Sequence, residues 1–327
     1  MPSKNEKLPP PMINTYQRSQ LVLGTAMWGW NVDAKEAFRL LDVFYENGFR
    51  KVDAATNYPI NKNAADFRRS EEILKEWILA NGIKDLEIMM KVGSLNNLRS
   101  PEHNLKPSFL QLNWQYYAGH FGSNLATFMI HWDNRDDLNA IQDSFSVLKR
   151  IHQSGLQVGA SGIRFPALYA KANEVLQLPL LIQLKHNLLY TDLPRYPMLK
   201  DRAAFYSYGI NAGGMKLSTD NYSANSTLKA RGGQVTALPD ILQDLVPAIE
   251  AFNQKKITPP ILKMNEVAMC FALLNTRLSG ILIGPSRMEQ LLDSLRFYKQ
   301  VQQNDYTLFF QSLLKIHQSH APADRSL

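Results

Sequence analysis

Cysteine is almost absent from this chain of 327 residues, because Cys270 is the only one. A single cysteine excludes an intramolecular disulfide and a metal site built from cysteines, and it fits a reducing compartment. Cys270 lies in the apolar, helix-like run 267–274, so we expect it in the core. No other ligand-spaced cluster is present, and we therefore predict no metal site.

The sequence also lacks long apolar runs and clusters of one charge sign. No apolar run approaches membrane-spanning length, and three prolines at 9–11 stand where a signal peptide would need an apolar core. The net charge is +7, but the densest basic groups are pairs such as Arg68 with Arg69. Binding of nucleic acid would need a basic face or run. We predict a cytoplasmic protein that binds neither membranes nor nucleic acid.

Strand-like and helix-like segments alternate along the chain, with eight strand–helix pairs between residues 20 and 301. This alternation predicts an α/β fold, and eight repeats predict a (β/α)8 TIM barrel. We expect a single domain over residues 1–327, with a loose N-terminal segment 1–19 and a helical C-terminal extension 302–327. The longest irregular stretch follows the seventh strand and runs to Pro239, and a loop of that length is usually functional or mobile.

Three successive predicted strands deliver residues suited to proton transfer. Asp53 lies at the end of the second strand with Tyr58 in the loop after it, and Lys91 and His131 close the next two strands. A tyrosine serves as a general acid only if a neighbouring cation or network lowers its pKa. Each residue alone is more simply a polar residue closing a buried strand. As an ordered set at the strand ends, where barrels place catalysis, they predict an active site.

These residues stand in sequence motifs that resemble those of the aldo-keto reductases. The catalytic motifs are D-A-A-T-N-Y at 53–58, M-K-V-G at 90–93 and I-H-W-D at 130–133. Weaker similarities are R-S-E-E-I-L at 69–74, G-L-Q-V-G-A-S at 155–161, Gln183 with Asn187, and I-G-P-S-R-M-E-Q-L at 283–291. The resemblance runs from about residue 21 to residue 298.

The resemblance implies hydride transfer between NADP(H), or less favourably NAD(H), and the carbonyl or alcohol of a small substrate. Tyr58 would donate the proton and Lys91 would stabilise the phenolate that remains. Asp53 would hold Lys91, because an unpaired buried ammonium tends to lose its proton. His131 would orient the carbonyl oxygen.

The resemblance also implies the cofactor site. No G-x-G-x-x-G follows the first strand, and this family does not need one. Tyr206 would stack on the nicotinamide, although without the motif a barrel-core aromatic would be the better interpretation. Arg287 would bind a 2′-phosphate, which would favour NADPH, or it is a solvated residue at a helix start. The full predicted set is Gly24, Thr25, Ser161, Gln183, Tyr206, Ser207, Gly284, Ser286, Arg287 and Gln290.

Three positions depart from the family pattern. Gly162 stands where an asparagine commonly helps to hold the nicotinamide carboxamide, so that contact is in question. Ala126 replaces an acidic residue early in the fourth strand, and Ala54 replaces a common threonine. None of the three is one of the four predicted catalytic residues, which we call the tetrad: Asp53, Tyr58, Lys91 and His131.

Loop residues are expected to select the substrate, which we expect to be an aldehyde, a keto sugar or a sugar derivative. The predicted substrate contacts are Met27, Trp28, Trp30 and Trp132. The long loop and the C-terminal Phe309 and Phe310 are further candidates. The oligomeric state is not indicated.

Two other functions compete with a reductase. A nucleotide-binding sensor with little turnover is compatible with Gly162, although the intact tetrad counts against it. A barrel glycosidase needs two carboxylates beside the sugar bond. Asp53 and Asp133 lie near strand ends, but the seventh strand carries no acid.

Overall fold

A computed structural model describes residues 19–217 and 240–320. The N-terminal segment up to residue 18, most of the long loop and the last residues of the C-terminal extension lie outside the described residues. The strands are β1 Gln20–Gly24, β2 Lys51–Ala55, β3 Glu87–Val92, β4 Leu125–His131, β5 Gln157–Ser161, β6 Leu180–Asn187, β7 Tyr190–Thr191, β8 Ala203–Tyr208 and β9 Gly280–Ile283.

Eight of these strands form a closed parallel barrel. They follow one another in the order β1, β2, β3, β4, β5, β6, β8 and β9, and β9 pairs with β1 to close the ring. The short β7 pairs antiparallel with β6 and stands outside this order. The predicted (β/α)8 TIM barrel is therefore confirmed.

Helices surround the barrel, and their starts follow from the sequence. The Asp33 side chain accepts a hydrogen bond from the Glu36 amide at the start of α1, and prolines open α3 and α5. No helix in the described residues is long and apolar enough to cross a membrane. The helices are α1 Ala34–Glu46, α2 Arg69–Asn81, α3 Pro107–Phe121, α4 Leu138–Gln153, α5 Pro166–Ala172, α6 Leu242–Gln254, α7 Met264–Leu273, α8 Met288–Gln303 and α9 Thr307–His320.

The connection between β6 and β8 departs from the predicted alternation of strands and helices. It contains β7 and two single turns of 3₁₀ helix, Leu193–Arg195 and Pro197–Leu199, instead of an α-helix. Pro194 and Pro197 have no backbone N–H, so a continuous helix here would lose hydrogen bonds. The expectation of eight strand–helix pairs was wrong at this connection.

The core has two layers, because successive residues of a strand point to opposite faces. Inside the barrel, one layer is formed by Val22, Met89, Met129, Leu181, Tyr206 and Leu282. The other face of each strand packs against the helices, as Leu21 and Leu23 do on β1. Below the mouth the barrel is thus filled with side chains, and open space is left to the carboxyl ends of the strands.

The C-terminal helix α9 packs on the outside of the barrel. Phe309 is fully buried, with its ring centroid 5.0 Å from that of Phe252 in α6. Phe310 packs 6.3 Å from the ring of Phe271 in α7. Both phenylalanines therefore belong to the outer core, and neither is brought to the barrel mouth as a substrate contact.

Candidate active site

The structure brings the four predicted catalytic residues together at the carboxyl ends of β2, β3 and β4. Asp53, Lys91 and His131 are almost completely buried, with 2%, 1% and 4% of their surfaces exposed. Tyr58 is half-buried in the loop after β2. Its amide donates to the carbonyl of Ala55 at 3.1 Å, which turns the chain back over the strand end.

Lys91 and Asp53 form a buried ion pair. The Lys91 Nζ donates to both carboxylate oxygens of Asp53. Burial lowers the pKa of Lys91, and the negative charge of Asp53 opposes that shift. Gln183 adds a further hydrogen bond, from Nε2 to Asp53 Oδ1 at 2.6 Å. Asp53 therefore helps Lys91 to keep its proton inside the barrel.

The ring of Tyr58 lies against this cation. Lys91 Nζ is 4.9 Å from the centroid of the Tyr58 ring. The ring of His131 stands perpendicular to that of Tyr58, at 89°, with centroids 6.2 Å apart. An ammonium and an imidazole thus both lie next to the phenol ring, and the ammonium in turn donates to the carboxylate of Asp53.

His131 is held as a neutral imidazole. Burial, and then the positive charge of Lys91, place its pKa well below the usual value for histidine. Its Nδ1 is buried and has no hydrogen-bond partner in the described residues. A neutral imidazole has one nitrogen that donates and one that accepts. It can therefore bind a carbonyl oxygen without adding a second charge beside Lys91.

Thr25 anchors the end of β2, although we expected it in the cofactor site. Its amide and its Oγ1 both donate to the carbonyl of Asp53, at 3.1 and 2.9 Å. The Thr25 carbonyl in turn accepts from Ser70 Oγ at 2.9 Å. At the neighbouring Gly24, a Cβ would come within 3.3 Å of the Ile283 carbonyl oxygen. Thr25 therefore fixes the backbone of Asp53, and Gly24 allows the close approach of β9.

The departure at Gly162 has a structural reason. A Cβ at this position would lie 2.6 Å from Trp132 Cδ1, and the backbone φ is +71°. Trp132 itself has φ +56°, and its amide donates to the Ser161 carbonyl at 2.8 Å. The indole therefore occupies the space into which an asparagine side chain at 162 would extend.

Tyr206 is not brought to the tetrad. Its ring lies in the barrel interior against Gly280, and its hydroxyl donates to Gln20 at the start of β1. This packing argues against a stacking role and supports the interpretation as a barrel-core aromatic. Tyr208, two residues later on the same face of β8, is the tyrosine nearest the carboxyl end of that strand. Period-two alternation is the signal that would have identified it.

The predicted adenosine segment lies between β9 and α8. Gly284 and Arg287 are exposed, and the amide and Oγ of Ser286 donate to Gln290 Oε1 at 2.8 and 3.1 Å. Glu36 was not predicted here, yet its Oε1 accepts from the Met288 amide at 3.0 Å. A carboxylate from α1 thus already occupies one amide at the start of α8. No local sequence signal pairs these two distant residues.

The family model described as "Aldo/keto reductase family" matches residues 20–309. The chain belongs to the aldo/keto reductase family. Over 294 residues it is 24% identical to "Uncharacterized oxidoreductase YrpG" of Bacillus subtilis (strain 168), covering 85% of this chain and 86% of that protein. Over 80 residues it is 38% identical to "Uncharacterized 11.2 kDa protein in crtE 3'region" of Pseudescherichia vulneris, covering 23% and 74%.

The predicted substrate contacts of this aldo/keto reductase differ in accessibility. Met27 and Trp28 are buried, with 7% and 0% exposed, and Trp28 Nε1 has no partner among the described residues. Trp30 and Trp132 are half-buried. Trp132 lies beside the tetrad, because its ring centroid is 5.1 Å from that of His131.

The second carboxylate near the strand ends is unsuited to glycosidase chemistry. Asp133 accepts from Arg135 Nε at 2.9 Å, Arg135 Nη2 at 2.7 Å and the Tyr169 hydroxyl at 2.6 Å. Its oxygens are thus engaged within the protein. Within residues 19–217 and 240–320 no group of His, Cys, Asp and Glu has the arrangement of a metal site.

Proposed function

We propose that this aldo/keto reductase reduces the carbonyl of a small aldehyde, keto sugar or sugar derivative with NADPH, or oxidises the corresponding alcohol. NADH is the alternative cofactor, and a cytoplasmic location is part of the proposal, because the single cysteine is buried and unpaired. The observation that carries the proposal is the buried Asp53–Lys91 ion pair whose ammonium lies against the ring of Tyr58.

The residues present fit a nicotinamide cofactor. His131 Nδ1 is buried and has no hydrogen-bond partner among the described residues. Ser207 lies on the face of β8 opposite to Tyr206 and Tyr208, so it points away from the barrel interior and is not assigned to the nicotinamide. We assign the carboxamide to Ser161 and Gln183, with Tyr208 in place of Tyr206 as the aromatic contact. When bound, the reduced nicotinamide would supply the hydride.

The protein's own residues would manage the proton. As the carbonyl oxygen becomes negative it must be protonated, and Tyr58 is placed to give its proton to that oxygen. The ammonium of Lys91 stabilises the phenolate that remains, and Asp53 and Gln183 keep this ammonium in place. Neutral His131 would orient the oxygen. In the oxidative direction the phenolate takes the proton back.

The preference for NADPH rests on Arg287. This residue is exposed at the start of α8 and forms no ion pair with another described residue. Because Glu36 already accepts from the Met288 amide, we assign a 2′-phosphate to the guanidinium rather than to the helix amides. Titration of the protein with NADPH and with NADH, followed by nicotinamide fluorescence, tests this assignment. Equal dissociation constants would overturn it.

A sensor with little turnover is the second candidate, and two observations favour it. The side chain expected at position 162 is replaced by the Trp132 indole, and Gln183 is engaged with Asp53. Both features alter the expected carboxamide contacts. Tight binding of NADPH without turnover of any aldehyde or keto sugar would select this function.

The variant Tyr58→Phe tests the proposed reductase. It removes the donated proton and keeps the ring over Lys91, so turnover should fall by about a thousandfold or more. The dissociation constant for NADPH should stay within about twofold, since the phenol acts on the substrate oxygen. Retained turnover would refute the assignment of Tyr58 as the acid.

A further inference from the structure

The chain directly after Tyr58 is held by a side chain from the loop that follows β3. The segment 59–63 belongs to no helix or strand, so it has no regular backbone ladder of its own. Three oxygens of this segment accept hydrogen bonds from Nδ2 of a single side chain, that of Asn97. They are the Pro59 carbonyl at 3.3 Å, Asn61 Oδ1 at 3.1 Å and the Asn63 carbonyl at 2.6 Å.

The Asn97 amide acts on this segment as a donor. The residue is 1% exposed, and its Oδ1 has no hydrogen-bond partner among the described residues. All its recorded hydrogen bonds to the segment after Tyr58 therefore run from Nδ2 to oxygen. A carboxylate of the same shape has no N–H group and could not make them.

The loop 93–106, which contains this asparagine, is itself fixed to β3 and β4. At its base the Asn104 amide donates to the Gly93 carbonyl at 2.9 Å. A Cβ at Gly93 would lie 2.7 Å from the His131 carbonyl oxygen, so the base of the loop lies directly against the end of β4. The segment after Tyr58 is thereby tied to the two strands that carry the ammonium and the imidazole of the tetrad.

We infer that Asn97 is a positioning residue for Tyr58 and holds the phenol ring at its distance from the ammonium of Lys91. The inference rests on the proposed reductase function, in which that ammonium stabilises the phenolate. The attraction between the two charges falls as their separation grows, and small displacements of a reacting group are costly. The contacts of Asn97 go to the loop, so its effect on the reaction passes through Tyr58.

The first test measures reduction of para-nitrobenzaldehyde with NADPH by the full-length protein. Asn97→Ala should lower kcat by about tenfold or more and leave the dissociation constant for NADPH within about twofold. Asn97→Asp keeps the shape but loses the donor, so kcat should fall as far. Asn96→Ala is the matched control and should keep kcat within about twofold. The hydrogen bonds of the Asn96 side chain with described residues stay within its own loop, at Leu98, Ser100 and Glu102.

A titration separates positioning from packing. The phenolate absorbance of a protein, minus that of the same protein carrying Tyr58→Phe, isolates the titration of this one tyrosine. In Asn97→Ala the isolated titration should move to higher pH by about half a unit or more, because a phenol whose cationic neighbour is farther away holds its proton more firmly. The alkaline limb of kcat/KM for reduction should move with it. A purely structural role would lower the melting temperature and leave both unchanged.

Three outcomes would overturn the inference. They are a wild-type kcat in either Asn97 variant, equal losses of kcat in Asn97→Ala and Asn96→Ala, and a loss of kcat with an unchanged titration of Tyr58. The absorbance titration needs no turnover, so it decides about Asn97 even if the wild-type protein reduces no carbonyl and the reductase function fails.

A second variant keeps the test if Asn97→Ala does not fold. Asn61→Ala, at a half-buried position, removes one acceptor of the same amide. It should move the titration of Tyr58 in the same direction by a smaller amount. An unchanged titration in folded Asn61→Ala would then count against the inference.

Discussion

The clusters around Asp133 and Asp53 each combine a carboxylate, a cation and a tyrosine, but they arrange these groups in different order. In the cluster around Asp133, the hydroxyl of Tyr169 donates directly to the carboxylate at 2.6 Å. In the cluster around Asp53, the carboxylate binds Lys91, and the ammonium lies against the phenol ring. The same residue types thus give two different environments for a phenolic proton.

In the Asp133 cluster the phenol of Tyr169 retains its proton. Burial, and then the charge of Asp133, raise the pKa of Tyr169 well above its usual value. Burial alone would raise the pKa of Asp133, but hydrogen bonds from Arg135 and Tyr169 outweigh it and lower that pKa. A phenol that faces a carboxylate cannot leave a phenolate there without like-charge repulsion. This cluster is therefore structural.

The Asp53 cluster has the order that favours proton release. A cation beside the ring stabilises a phenolate, and a carboxylate behind the cation stabilises the cation. The difference teaches that the order of the contacts, and not the presence of the three residue types, distinguishes the acid that we propose from a structural hydrogen bond.

The largest expected effect tests the cation. Lys91→Met keeps an unbranched side chain in the barrel but removes the charge, so kcat should fall by about a thousandfold. Lys149→Met, at an exposed position on α4, is the matched control and should leave kcat within about twofold. A Lys91→Met enzyme that stays folded by circular dichroism and keeps its activity would show that the order of contacts is irrelevant.

The next effect tests the structural cluster. Tyr169→Phe removes the hydroxyl that donates to buried Asp133, which should lower the free energy of unfolding by about 1–2 kcal/mol. The kcat of the folded enzyme should not change. Urea denaturation and steady-state kinetics measure the two quantities. Loss of turnover at full stability would contradict the contrast between the clusters.

The smallest expected effect concerns the pH dependence of kcat/KM, to which His131 should contribute no titration near neutral pH. Burial and Lys91 hold the pKa of His131 well below the usual value of about 6.5, so the imidazole becomes protonated only at much lower pH. Carbonyl reduction should therefore show no acid limb in kcat/KM between about pH 8 and about pH 6. An acid limb near pH 6.5 that disappears in His131→Gln would show that His131 titrates normally.

Much of the fold was predictable from local signals. The alternation of strands and helices predicted the barrel, and proline and aspartate marked several helix starts. Polar residues at or near the strand ends predicted the tetrad. The prolines at 194 and 197 indicated that the segment after β6 is broken, and the structure has two short 3₁₀ turns there. The side-chain direction of Tyr206 was not predicted, because it depends on neighbours distant in the chain. The motif predicted a nicotinamide contact for Tyr206, and the structure packs its ring against Gly280 inside the barrel.

By itself the sequence determined the repeating units of the barrel and which polar residues lie at or just after the ends of its strands, because these follow from periodicity and local chemistry. Only the tertiary structure decided which groups touch. It gave Asp53 both Lys91 and Gln183, brought Glu36 to the start of α8, and filled the space at Gly162 with Trp132. These contacts join residues on different strands and helices, so closure of the barrel, and no local preference, creates them.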